Sequence, residues 1–217
     1  SEEELKKIFK AADELMFVRR NFKCGIFSIP VLLRLLYSTG MRIGEACSLI
    51  NSDVDMSSRI ILVRNTKNKR DRQLPISDSL YQVLEQYLIK RDKLPLHNMG
   101  NPNSPFLISL DGSSLTGVSA RHWFYKILEA SDIDYIPKVG PRIHDLRHTF
   151  AVHVLDKLVK EGVDMHCCLP VLSMALGHKC VSDTEYYVRI TNQVYPHLSD
   201  TTSAISEYVF PTISTMK

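Results

Sequence analysis

The stretch GPRIHDLRHTF, residues 140–150, crowds two histidines, two arginines and an aspartate between Arg142 and His148. It opens a segment, 143–161, that reads as a helix. His144 and Arg147 stand three apart and His144 and His148 four apart, so a helix sets all three on one side. The chemistry of that side is suited to phosphate. Arg147 is a planar, permanently charged fork that fits two phosphate oxygens. His144 can donate to a third oxygen or trade a proton. The competing metal reading needs two more ligands. Position 145 is Asp and 146 is Leu, so the glutamate of a zinc-protease motif is missing. His166, Cys167, Cys168, His178 and Cys180 match no zinc spacing. No metal and no cofactor are expected.

Outward from this stretch the chain is mostly helical. SEEELKKIFKAADEL, from Ser1, has a capping serine, acids in its first turn and apolar residues at helical spacing. After Pro30, VLLRLLYSTG is apolar on nearly every side, which predicts a buried helix stopped by Gly40. MRIGEACSL restarts a helix at once and brings Arg42 to its N-terminus, where backbone N–H groups favour an anion. From spacing alone Arg42 reads as a surface arginine. The period then changes. RIILV and RQLPI read as strands flanking the hairpin tip RNTKNKRD. Helices are expected again over 78–92, 117–131, 168–177 and 182–190. Residues 94–117 read as loop, with PFLISL as a short strand. The fold class is therefore mainly α (α+β), with a small antiparallel sheet of two or three strands in the first third.

Composition bounds the function classes. Of 217 residues, 44% are hydrophobic and 24% charged, the profile of an ordinary globular chain. The formal net charge of +3 does not announce a nucleic-acid binder, but residues 59–72 hold six Lys/Arg against one Asp. Such a patch can meet phosphates, although many charge runs are only solvated faces. Cys24, Cys47, Cys167, Cys168 and Cys180 form an odd, irregular set, as in a reducing cytosol. There is no signal-peptide pattern and no apolar run of membrane-spanning length.

Four motifs taken in order, STGMRIGEACSL, NTKNKRDRQLPI, RIHDLRHTFAVHVL and LGHKCVSDTEYYV, resemble the catalytic domain of tyrosine recombinases, the phage-integrase family. The long link between the box helix and LGH resembles a subset of transposon-borne integrases. The resemblance implies a helical DNA breaking-rejoining domain over 1–190 and a tail over 191–217 that contacts a neighbouring protomer. It also implies an N-terminal core-binding domain in the family's members, which is expected to fall outside residues 1–217.

Carried onto this sequence, the family's active site falls on Arg42, Lys67, His144, Arg147, His178 and Tyr187, with Glu45 in support. Tyr187 lies nine residues past His178 and takes the nucleophile's place, while the adjacent Tyr186 reads as a packing residue. Lys67 is the candidate general acid, with Lys69 competing at the hairpin tip. Arg64, Lys69, Arg70 and Arg72 are candidate DNA contacts. The implied activity is that of a tyrosine-type DNA strand transferase working through a 3′-phosphotyrosyl intermediate, without ATP or metal. Its implied partners are double-stranded DNA with specific recombination sites and further copies of the chain. It would be a tetramer on DNA and a monomer in isolation, in the bacterial cytoplasm at the nucleoid, with no membrane. A type IB topoisomerase and an inactive DNA-binding regulator are the alternatives.

Overall fold

The computed structural model describes residues 2–15, 25–64, 71–135 and 140–187, apart from the side chains of Met165 and His166. The chain forms two compact units, Ser1–Arg147 and His148–Lys217. In order, the elements are α1 (Glu2–Asp13), α2 (Ile29–Thr39), α3 (Ile43–Cys47), β1 (Val54–Asp55), β2 (Ile60–Val63), β3 (Arg72–Pro75), α4 (Asp78–Arg91), α5 (Gly117–Ala130), α6 (Asp145–Lys160) and α7 (Met165–Leu176). A last helical segment, α8, covers 182–187. The chain is thus mainly helical with one small sheet.

The first unit is built on α2. Pro30 at its start supplies a preset helical φ, and the leucines that follow have no polar face to offer water. Leu32, Leu33 and Leu35 are fully buried, each contributing about 1.5–3 kcal/mol of apolar burial. α2 packs against α1, α3 and α4. Arg34 ties α2 to α1, donating from both terminal nitrogens to Asp13 at 2.8 and 2.6 Å. Gly40 then ends the helix in the left-handed region, φ 64°, with its N–H on the Leu36 carbonyl at 3.0 Å. A side chain at that φ would clash with its own backbone, hence glycine.

The sheet has the order β1-β2-β3 with antiparallel neighbours. Ile61 pairs with Leu74 and Val63 with Arg72, so these four side chains share one face. Ile61, Val63 and Leu74 are buried there. PFLISL does not form the expected strand. Its backbone groups go elsewhere: Phe106 N–H to the Leu49 carbonyl at 2.8 Å, and Ile108 N–H to Ser28 Oγ at 3.1 Å. The Ile108 carbonyl in turn accepts from Ser28 Oγ at 2.7 Å. Only two isolated bridges remain, Ile50 with Pro105 and Ile108 with Ser114. Phe106, Leu107 and Ile108 are buried, but the partners of this run are side chains and loop carbonyls, not a ladder.

In the second unit Ala151, Val152 and Leu155 of α6 share a core with Cys168, Leu169, Leu172 and Leu176 of α7 and Tyr187 of α8. Among the described residues no helix is long and apolar enough to cross a membrane.

The cysteines sort by burial. In the first unit burial pushes the Cys47 thiol up to about 11, against the opposing pull of Arg121. Cys167 and Cys180 are exposed. Because the thiolate is the reactive form, brief alkylation of the native protein near neutral pH should label Cys167 and Cys180 and spare Cys47 until the chain is unfolded. Peptide mass spectrometry reads this directly; equal native labelling of Cys47 and Cys180 would contradict the packing described.

Candidate active site

In the first unit the candidate groups gather on the turn between α2 and α3. Only Met41, itself buried, separates the Gly40 cap from Arg42, the extended N-cap residue of α3. Glu45, one turn into α3, reaches back and accepts four hydrogen bonds. Its Oε2 takes the Arg42 backbone N–H at 2.8 Å and Arg72 Nη2 at 2.7 Å. Its Oε1 takes Arg42 Nη1 at 3.0 Å and Arg72 Nη1 at 3.1 Å. Burial alone would raise the Glu45 carboxyl, but the Arg72 guanidinium and the Arg42 N–H outweigh it and hold the group below the usual carboxylate range. Two arginines against one glutamate leave the trio a net positive charge, with Arg42 the more exposed cation.

Arg147 joins the same turn from the other side. It is buried, and its Nη1 donates to the Gly40 carbonyl at 2.7 Å. The first unit thus brings Arg42 and Arg147 to one three-residue bend, with Glu45 and Arg72 behind Arg42. His144 differs from the expectation. Helix α6 begins at Asp145, so His144 stands just before it and is exposed, its carbonyl accepting from Arg147 N–H at 3.0 Å. At this start Asp145 reaches back, accepting from the Arg142 backbone N–H at 2.8 Å and from its Nη2 at 3.1 Å, which fixes the entry of the chain into α6. Arg64 donates from Nε to Asp53 at 2.5 Å with its side chain half exposed. Lys67, Lys69 and Arg70 lie outside the described residues.

The second unit builds around Tyr187. Gly177, φ 67°, closes α7, and the His178 N–H reaches back to the Ser173 carbonyl at 3.0 Å. This six-to-one closure presents the His178 side chain just past the helix end. Its Nδ1 lies 2.8 Å from Oγ1 of the fully buried Thr184. The His178 ring is parallel to that of Tyr187, 6° between planes and 6.0 Å between centroids. Tyr187 is 3% exposed, and its hydroxyl lies 3.0 Å from His148 Nδ1. Tyr186, expected to pack, is 56% exposed instead, meeting only the edges of the His148 and Tyr187 rings among its aromatic contacts. One residue of helix rotates a side chain by about 100°, so one tyrosine faces the core and its neighbour faces out.

Two partners were not assigned from the sequence. His148 was visible as part of the 142–148 crowd but carried no role. Thr184 had no signal beyond its place between His178 and Tyr187. Among the described residues no three His, Cys, Asp or Glu side chains stand together as a metal-holding group.

Comparison with known proteins gives a consistent result. The phage integrase family matches residues 1–193. The tyrosine recombinase XerA of Pyrococcus horikoshii is 30% identical over 195 residues, which cover 89% of this chain and 57% of that protein. The y4rB protein of Sinorhizobium fredii, described as an integrase/recombinase, is 31% identical over 190 residues, covering 87% of this chain and 60% of that protein. The structure of the XerH site-specific recombinase bound to its palindromic difH substrate, a post-cleavage complex, aligns with a TM-score of 0.66 at 23% identity, over 95% of this chain and 52% of that one. At that identity the likeness speaks for the fold. The chain spans about half to three-fifths of the length of the curated relatives it matches.

Proposed function

Because the chain belongs to the phage integrase family, we propose that it is the catalytic domain, over 1–190, of a site-specific DNA recombinase that cleaves and rejoins strands to integrate or excise a mobile element. The observation that carries this reading is the setting of Tyr187. Its hydroxyl lies against one imidazole and its ring against another, which suits a phenol that must lose a proton to act.

In this reading Tyr187 Oη attacks the scissile phosphorus, a 3′-phosphotyrosyl bond forms and the 5′-oxygen leaves. Arg42 and Arg147 meet the charge that develops on the non-bridging oxygens, each donor worth about 3–4 kcal/mol of the barrier by analogy with an oxyanion-hole donor. His144 and His178 add N–H donors to the same oxygens. Lys67 protonates the departing 5′-oxygen. Glu45 keeps Arg42 in place. A 5′-hydroxyl from another strand then reverses the chemistry and reseals the DNA. The substrate is double-stranded DNA carrying recombination sites, bound at the nucleoid by a homotetramer that is monomeric off DNA, with the 191–217 tail bridging protomers. Arg64, Lys69 and Arg70 serve the DNA backbone, while Arg72, engaged with Glu45, serves the site from behind.

One observation favours a second assignment. Tyr186 is the more exposed of the two tyrosines and the readier to meet DNA without rearrangement. Substitution of each separately decides between them.

The test is a nicked-duplex trap. A pool of duplexes with randomised sequence around the nick releases a short fragment on cleavage and strands the covalent adduct, which survives denaturation. The expected result is a protein–DNA band, formed without divalent metal or nucleotide. Its yield should fall with salt, since log affinity drops by about 0.9 per neutralised phosphate for each tenfold rise in salt. Binding without adduct at any salt would replace this reading with a non-cleaving DNA-binding domain.

A further inference from the structure

We infer that His148 is the base that takes the Tyr187 proton during strand cleavage, a role that rests on the reading of Tyr187 as the nucleophile. Two imidazoles flank this tyrosine, and the geometry divides their work. His178 lies parallel to the phenol ring and its Nδ1 is committed to Thr184 Oγ1 at 2.8 Å. A parallel imidazole offers its face to the neighbouring ring. His148 meets the hydroxyl of Tyr187. Its Nδ1 lies 3.0 Å from the Tyr187 oxygen, within the distance at which a base abstracts a proton. With its own proton on Nε2, His148 directs the Nδ1 lone pair at the phenolic O–H.

Burial makes a positioned acceptor necessary. Tyr187 is 3% exposed, so bulk water cannot take the proton while the side chain stays in this setting. A phenol with an ordinary pKa of about 10 needs a base beside it to react near neutral pH, and imidazole titrates in that range. Histidine 148 occupies the residue directly after Arg147, so the same stretch that supplies a phosphate-binding arginine supplies the base.

The step balances. The Tyr187 O–H proton passes to His148 Nδ1 as the phenolic oxygen forms its bond to phosphorus. The bond from phosphorus to the 5′-oxygen breaks, and that oxygen takes a proton from the general acid. In resealing, the incoming 5′-hydroxyl returns its proton to the acid, and the imidazolium of His148 returns its own to the departing phenolate. No oxidant, reductant or metal is involved.

The test measures adduct formation by the full chain on nicked duplexes recovered from the randomised pool, for the parent, His148→Ala, His148→Asn and Tyr187→Phe. Rates are followed from about pH 6 to about pH 10, spanning the imidazole and phenol ranges. Asparagine can set an amide oxygen near the Nδ1 position, accepting the hydrogen bond without taking the proton. Among the described residues, titratable groups beside the pair include His178 from the turn after α7, Tyr186 from α8 and Cys168 from α7. They are common to parent and variants, so the rate ratio isolates His148.

Both His148 variants should be slower by about 10²–10⁴-fold near neutral pH, the usual worth of a positioned base. The gap should narrow as pH rises towards the phenol range, where the tyrosine of the variants ionises before attack and no longer needs a base. A substrate with sulfur replacing the 5′-bridging oxygen, whose leaving group needs no proton, should leave the defect in place. Parent-like rates in His148→Asn would show that the residue only positions Tyr187 and overturn the inference. So would a gap that is constant with pH, or rescue by the sulfur substrate. A parent that forms no adduct, or an adduct that persists in Tyr187→Phe, removes the nucleophile reading itself and the base with it.

Discussion

Tyr187→Phe should fold and bind DNA like the parent yet form no covalent adduct, while Tyr186→Phe should keep the adduct. The phenylalanine retains the ring that fills the core with Leu155, Leu169, Leu172 and Leu176, so the packing of α6, α7 and α8 survives. It loses one hydrogen bond, to His148, worth about 1 kcal/mol of stability. Adduct formation falls to background because no oxygen is left to bond phosphorus. Tyr186 is exposed and its hydroxyl lies on no described core, so its loss changes stability by only a few tenths of a kcal/mol. The measurement is a denaturing gel of nicked-duplex reactions, with the modified peptide mapped by mass spectrometry. An adduct lost only in Tyr186→Phe would transfer the nucleophile to the exposed residue. The 3.0 Å contact of Tyr187 with His148 would then be a structural tie of α8 to α6.

How far each of these features could be read beforehand depends on what kind of interaction places it. Helix α2 was legible because its apolar run, Pro30 and Gly40 all state the same local rule. The hairpin was legible for the same reason, with period-two strands on both sides of a basic tip. Arg72 was half legible. Its place two residues before Leu74 sets it on the buried face of β3, and a buried arginine demands a carboxylate. That argument was available, but which carboxylate answers, Glu45 twenty-seven residues away, depends on how α3 meets the sheet. PFLISL misled because a run of buried apolar residues has the same composition in a strand as in a loop pinned by Ser28 and Leu49. His144 misled because the helix, expected from 143, begins at Asp145, two residues later. The roles of His148 and Thr184 were not legible at all. Each is defined by a single side-chain contact, His148 to Tyr187 across thirty-nine residues and Thr184 to His178 across a turn. No periodicity encodes such contacts.

Glu45→Gln should cost the first unit about 3 kcal/mol near neutral pH, the lower end of what breaking a buried pair costs. The carboxylate accepts from Arg72 at 2.7 and 3.1 Å and from Arg42 at 2.8 and 3.0 Å. Glutamine has one acceptor oxygen and turns an amide N–H₂ towards donors, so at least one guanidinium loses its partner. Both Glu45 and Arg72 are largely buried, and water cannot replace what is lost. The pH dependence carries the sign of the interaction. The folded state holds the Glu45 carboxyl below its usual range, so it favours the ionised form more than the unfolded chain does. Its contribution is full above the unfolded value of about 4.3 and fades as pH falls through the lower folded value. The stability difference between parent and variant, taken from urea unfolding at several pH values, should therefore be large at neutrality and shrink in acid. A difference that stays constant into acid would mean that glutamine harms packing and not charge pairing. The same variant separates support from chemistry. Arg42 remains, but the N–H and carboxylate contacts that fix it at the start of α3 are weakened. Adduct formation should then fall while DNA affinity, set by exposed cations elsewhere, changes little. Loss of both in equal measure would make Glu45 a residue of the fold alone.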